Sequence, residues 1–418
     1  MKKSFLFYSV FLISSLCAKT LSLNEAIDKT LHNHPDIKTF ILKISQSQQS
    51  YKSERSALLP QISLQANYNP IQTYALPVNG QFHTVDKDSW GVGVGVKEKL
   101  WDFSSTDSKI KAAKLDKEIA TLSLQEAKAL LSYRVKSLYK LMLVQKAALK
   151  VQKEDLKRKK AYYKQAQALY KQGLKTKADK SRFLAEVYTA KDNLAITQAT
   201  YQKAKTTLSL YIAETIDTNT TLQSDILYKT PLQKTKNNIK NILEENPQLH
   251  IDKLSIEKNR LLHEAAHNAH YGSIDAIASL THLDTLNSYD SKLVGIFFNL
   301  PLYAGGKLSA QAQKAKIATQ ISKELEASKQ IKLKEEIKSL LIDITRYQQT
   351  ISAKKAQLAA AKESAKVLEA RYKEGMSTYI QLLDGAMQEL NSRLAIIQAY
   401  YTRSLAYDRI LYLEGKIK

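Results

Sequence analysis

Helix and strand breakers are scarce in this sequence, with 12 Gly and 7 Pro in 418 residues. An average soluble protein carries roughly 12% of the two together. The shortfall excludes turn-rich sandwiches and propellers, whose tight turns consume both residues. Neither residue occurs from Val96 to Gln172, from Leu174 to Thr230, or from Lys307 to Glu374. A helix filling the last of these runs would be roughly 100 Å long. Cysteine is nearly absent too: Cys17 is the only one, so a disulfide framework and a Cys metal site are excluded. No long apolar run exists beyond the first residues, so a membrane-spanning helix is not expected in the rest of the chain. The spacing yields no Ser/His/Asp grouping and no phosphate loop, so neither hydrolysis nor nucleotide use is expected.

What is present begins with a signal-like segment. Lys2 and Lys3 precede an apolar stretch from Phe5 to Leu16, with a small-residue site at Ala18. Residues 1–18 are therefore expected to be a removable export signal. Leu16 precedes Cys17 where lipid-modified exported proteins carry a small residue. The formal charge is +23. Lysine is scattered through the long runs, which describes a solvated helix surface, and no nucleic-acid partner is expected.

The chain reads as two copies of one unit. Tyr170-Lys171-Gln172-Gly173-Leu174 matches Tyr372-Lys373-Glu374-Gly375-Met376 at an offset of 202, and Leu100-Trp101 matches Leu302-Tyr303 at the same offset. His34-Pro35 and Asn246-Pro247 mark an equivalent early break in each copy. The expected boundaries are residues 19–217 for the first repeat, 218–236 for a polar linker, and 237–418 for the second repeat. Each copy holds a pair of alternating strands, about 61–70 with 88–101 and about 272–283 with 291–302. Each then holds a long helix, a turn near 173 or 375, and a last helix.

Alternation is strict in Gln61-Ile62-Ser63-Leu64-Gln65-Ala66-Asn67-Tyr68, and Trp90, Val92, Val94 and Val96 oppose Gly91, Gly93, Gly95 and Lys97. Ile274, Ala276, Ala278 and Leu280 repeat the pattern with Ile277 as the exception, and Val294, Ile296 and Phe298 follow. Period-two alternation with aromatics near the ends is how an outer-membrane barrel strand reads. A half-buried strand of a soluble sheet has the same period. Four strands cannot close a membrane barrel, and open edges in lipid cost several kcal/mol per unpaired group, so several chains must share one. Two chains or three would serve. On the long helices Ile351, Leu358, Ala361, Ala365, Leu368 and Tyr372 form a heptad-like seam, with Leu115, Ile119, Leu122, Leu138 and Leu141 as its first-copy counterpart. The expected fold class is mostly α, with two repeats of β-hairpin plus long coiled-coil helices. A secreted coiled-coil scaffold without a pore is the reading of another class.

Several motifs carry a resemblance. Leu21-Ser22-Leu23-Asn24-Glu25-Ala26-Ile27 followed by Asn33-His34-Pro35, the Leu59-Pro60-Gln61-Ile62 segment, and above all Phe298-Asn299-Leu300-Pro301-Leu302-Tyr303-Ala304-Gly305-Gly306-Lys307 are similar to the TolC-like outer membrane efflux protein family. The resemblance implies a homotrimer in outer-membrane lipid, with a twelve-stranded barrel and a periplasmic helical tunnel. It implies a passive exit duct for small molecules, not an enzyme and without a cofactor. The partners implied are a periplasmic adaptor (membrane fusion) protein and an inner-membrane pump of RND or ABC type. Metal-cation efflux and type I protein secretion are the alternatives. By the same resemblance Asp384 and Gln381 fall on the two constricting positions of the pore gate, where the second acid is missing. Tyr372 and Asp179 match positions that tie the closed tip, and Ser377 stands where the locking arginine would be, which implies a looser resting gate. Gly173, Leu174, Gly375 and Met376 fall on the adaptor-docking positions.

His263-Glu264-Ala265-Ala266-His267 spells H-E-x-x-H, and His270 extends the same helix face. The run leads directly into a strand at Tyr271 and leaves no room for a protease cleft. Divalent-metal binding by His263, His267 and His270 stays as an alternative, with plain junction histidines preferred.

Overall fold

The structure is a computed structural model that describes residues 20–217, 220–223, 227–228 and 239–417. The signal-like segment and much of the linker lie outside the described residues. The elements are β1 (Thr20–Leu21), α1 (Leu23–Asn33), α2 (Pro35–Ser56), β2 (Gln61–Val78), β3 (Gln81–Trp101), α3 (Ser105–Lys171), α4 (Lys177–Ile212), β4 (Thr221–Leu222), α5 (Ile239–Glu245), α6 (Pro247–Asn268), β5 (Ser273–Asp284), β6 (Ser288–Asn299), α7 (Lys307–Lys373) and α8 (Tyr379–Leu413). The fold is mostly helical, with one four-stranded sheet. The breaker-free runs became the 67-residue helices α3 and α7. Both are offset by 202 residues, as are the starts of α4 and α8.

The chain divides into two compact units, each discontinuous in sequence. One unit comprises Met1–Pro35, Lys128–Asn237 and Ile337–Lys418. Leu21, Ala26, Ile27, Val135, Tyr139, Met142, Leu208, Ile212 and Leu222 form its core. The first-copy seam on α3 runs through Leu131, Val135, Tyr139 and Met142, while Leu138 and Leu141 pack against it only partly buried. Of the second-copy seam, Ile351, Ala361, Ala365 and Tyr372 are buried, while Leu358 and Leu368 are half-buried. Part of the expected linker is structured: β4 pairs in parallel with β1. Tyr139 holds that pair, its hydroxyl donating to the Leu21 carbonyl at 2.7 Å and accepting from the Gln223 N–H at 2.9 Å. Lys140 and Asp408 make an ion pair with both side chains buried.

The other unit comprises Asp36–Ala127 and Asn238–Glu336. Its sheet is antiparallel in the order β2-β3-β5-β6. The register aligns Leu64 with Val94, Val94 with Leu280, and Ala278 with Val294. One face therefore carries Ile62, Leu64, Val92, Val94, Leu280, Val294, Ile296 and Phe298, all exposed, with Val294 at 86%. Ser63, Gln65, Asn67, Gly91, Gly93, Gly95, Lys97, Ser279 and Thr281 line the opposite face, with Ile277, Leu283, Leu293 and Phe297 as its apolar members. Lys258 to Asp116 at 2.9 Å and Lys329 to Asp252 at 2.6 Å strap α6 to α3 and α7.

The first hairpin is longer than its alternation indicates. Its strands run on to a turn at Asn79-Gly80, where both φ angles are positive, the geometry of a two-residue hairpin loop. Pro70 and Pro77 hide this in the sequence. Both lie on an edge strand, and Pro70 sits in an irregularity between Asn69 and Gln72, where a missing N–H costs little. The second hairpin spans 273–284 and 288–299, one to three residues from the expected bounds. A smaller departure from symmetry precedes α3. Phe103 and Ser104 adopt φ of 54° and 66°, where the second copy places Gly305 and Gly306 at 60° and 79°.

Candidate functional site

The turns joining α3 to α4 and α7 to α8 are built alike. Gly173 and Gly375 both have φ of 76°, a left-handed conformation that ends each long helix. A Cβ would meet nothing within 4 Å at either glycine, so conformation rather than space requires glycine there. The next amides fold back, Leu174 N–H onto the Leu169 carbonyl at 3.0 Å and Met376 N–H onto the Arg371 carbonyl at 2.8 Å. Two residues further on, Thr176 and Thr378 cap the following helices. Each hydroxyl accepts from the third helical amide, and Asp179 or Gln381 returns the bond to the threonine N–H.

Asp179 and Gln381, expected at the gate, are thus the reciprocal partners of two capping boxes. The Thr-x-x-Asp and Thr-x-x-Gln spacing carried that signal. Ser377 is buried, and its hydroxyl donates to the Leu368 carbonyl at 3.2 Å, closing its own turn. Tyr372 is also buried, edge-to-face with Phe183 at 5.9 Å, and its hydroxyl has no hydrogen-bond partner. Burial and then the Asp179 carboxylate push this phenol above its ordinary pKa, but the two residues are not hydrogen-bonded. Tyr162, Ala166, Phe183, Leu382 and Ala386 complete the cluster under the turns.

Asp384 is exposed one turn into α8 and accepts from Gln388 Nε2 at 3.0 Å. It lines a groove of about 350 Å³ with Arg182, Glu186, Tyr379, Ile380, Leu383 and Met387. Leu174 and Met376 are exposed at the turns. Below them lies an ionic network that sequence spacing does not reveal. Arg158 reaches Glu389 at 2.6 Å and Asp155 at 3.1 Å, Lys159 reaches Glu186 at 2.5 Å, and Arg393 meets Glu154. It ties α3 to both α4 and α8.

The histidines of the H-E-x-x-H run do not converge. His263 and His267 lie 6.4 Å apart by ring centroid, His267 and His270 6.0 Å, and His270 Nδ1 is 2.9 Å from the His267 carbonyl. Among the described residues no group of three His, Cys, Asp or Glu side chains is placed to hold a metal ion. The expected lack of a Ser/His/Asp grouping needs correction. His282 Nδ1 lies 2.8 Å from Asp290 Oδ1, and Nε2 lies 3.2 Å from Ser288 Oγ. Cross-strand register sets His282 opposite Asp290, which no linear spacing reveals. The His282 and Asp290 side chains are 40% and 64% exposed, so the trio is a hydrated clip on the hairpin.

Comparison with known proteins is consistent along the chain. The family model described as outer membrane efflux protein matches residues 26–214 and 238–415. No curated protein matches. Among solved structures, the open-state MtrE outer membrane channel of Neisseria gonorrhoeae superposes with a TM-score of 0.79 at 20% identity, covering 97% of this chain and 94% of that one. The CmeC outer membrane channel of Campylobacter jejuni gives 0.80 at 16%, over 95% and 86%. The outer membrane protein VceC of Vibrio cholerae gives 0.80 at 16%, over 94% and 96%.

Proposed function

We infer the working assembly from the premise that this chain belongs to the outer membrane efflux protein family. It is an outer-membrane efflux channel with a helical periplasmic part. Three copies form the unit that spans the membrane. The observation that carries this is the sheet: an apolar exposed face, an opposite face lined largely by glycine and polar residues, and open edges at β2 and β6. Edges left unpaired in lipid are costly, and joining β6 of one copy to β2 of the next removes them all. Tyr68 and Trp90 at one end of the sheet, and Trp101, Tyr271 and Tyr303 at the other, supply the two interfacial girdles. The exposed Ile317, Ile321 and Leu325, four residues apart on α7, supply an apolar stripe for a neighbouring copy.

The duct is passive. A periplasmic adaptor docks at the turns around Gly173, Leu174, Gly375 and Met376, and an inner-membrane pump supplies the energy and chooses the small-molecule cargo. Asp384 lines the constriction as a single acidic ring that favours cations. Gln381 and Ser377 contribute no charge beside it, so the resting gate is looser than one with a second acid and an arginine lock. The non-converging histidines give no support to dedicated metal export.

Paired cysteines test the assembly. With Cys17 in the segment expected to be removed, one cysteine on β2 (scanned from 62 to 68) and one at Val294 are expected to oxidise into a ladder ending at three chains. A ladder ending at two would overturn the trimer.

A further inference from the structure

The two turns share one backbone design but not one charge. Around the first turn lie Lys171, Lys175, Lys177, Lys180 and Arg182, with Asp179 as the only acid among residues 171–182. At the offset of 202 the second turn has Lys373, Ser377, Tyr379, Leu382 and Asp384. Glycine conformation and capping box are the same in both, so the fold does not need the first turn's cations. The acid at that turn is already engaged, its carboxylate bonded to the Thr176 N–H and hydroxyl at 3.1 and 2.9 Å. Among the described residues none of the five cations forms an ion pair with a carboxylate.

Three of the cations are held in place by aromatic rings. Lys175 Nζ lies 5.4 Å from the centroid of Tyr372, Lys180 Nζ 5.3 Å from that of Tyr170, and the Arg182 guanidinium 5.3 Å from that of Tyr379. A cation over a ring loses side-chain freedom before any partner arrives, so less is left to lose on binding. The exposed Leu174 sits among them as an apolar anchor. An unneutralised, partly ordered set of cations around an apolar tip fits an acidic surface.

We propose that the first turn is an electrostatic docking surface for an acidic tip on the periplasmic adaptor, with the second turn, which carries Lys373, Glu374 and Asp384, serving as its near-neutral counterpart. The proposal rests on the reading of both turns as docking positions. A ring of three chains then alternates basic and near-neutral turns, so the partner must alternate in the same way, which fixes rotational register as well as affinity. Opposed charges also speed the encounter and make it sensitive to salt.

The test is photo-cross-linking from Met376, on the near-neutral turn, in cells that make the native adaptor. The wild-type channel is expected to give an adaptor adduct. The triple variant K175E/K177E/K180E is expected to lose it by about tenfold or more, and K175R/K177R/K180R to keep it. Heat-modifiable trimers from both variants show that folding is intact. A charge-reversed variant whose adduct stays within about twofold of wild type overturns the proposal. So does one that keeps its adduct while its purified trimer no longer floats with phosphatidylglycerol vesicles, because the surface then serves lipid. Absence of any adaptor adduct in the wild-type channel sinks the docking reading itself.

Discussion

Replacing Val94 with Arg is expected to remove the channel from the outer membrane, whereas replacing its neighbour Gly95 with Lys is not. Val94 lies on the exposed apolar face, beside Leu64 and Leu280 in the register. A cation at the midplane of a barrel's lipid face costs about 2–4 kcal/mol, and a trimer incurs that cost in every copy. Gly95 points the other way, towards Ser63, Ser279 and Lys97. A Cβ there would come no nearer than 3.5 Å to Ser63 Oγ, an ordinary contact, and a lysine can follow it into water. The measurement is the amount of heat-modifiable trimer in outer-membrane fractions. Near-complete loss for V94R with near-normal yield for G95K is expected. Equal yields would mean that the sheet does not face lipid and water as assigned.

The second large effect lies far along the chain from the sheet residues. Lys140 and Asp408 are paired with both side chains buried, on α3 and α8. Removing one partner leaves an uncompensated buried charge, which costs about 3–5 kcal/mol, while replacing both with apolar residues is often close to neutral. Lys140→Met is expected at the lower end of that range. Lys136 lies close enough to Asp408 to feel its charge, although burial pulls the Lys136 ammonium below its ordinary pKa. The double variant K140M/D408L is expected to recover most of the loss. Thermal unfolding followed by circular dichroism reads both. A single variant as stable as wild type would show that the pair carries no such penalty.

What the sequence revealed follows from which signals are local. The scarcity of Gly and Pro located the long helices, and the offset of 202 reappears in the bounds of α3, α4, α7 and α8. Alternation placed Leu64, Val94 and Val294 on one face because a strand's period is set by its own backbone. Pro70 and Pro77 concealed half of the first hairpin, since whether a proline is tolerated depends on lying at a sheet edge. Asp179 and Gln381 match gate positions by family resemblance, while the Thr-x-x-Asp and Thr-x-x-Gln spacing from Thr176 and Thr378 is the local signal of their capping role. Nothing local could reveal Arg158 with Glu389, Lys140 with Asp408, or Ser288 with His282 and Asp290. Those pairs exist only once helices and strands are side by side.

In the assembly proposed, three copies of this chain together enclose a water-filled path through a membrane. Single-channel recording of the purified protein in planar lipid bilayers tests it most directly. Discrete, repeated conductance steps of one size are expected, carried by a heat-modifiable trimer and absent from V94R preparations. A stable protein that stays in solution, adds no conductance and remains a coiled-coil assembly without lipid would contradict it.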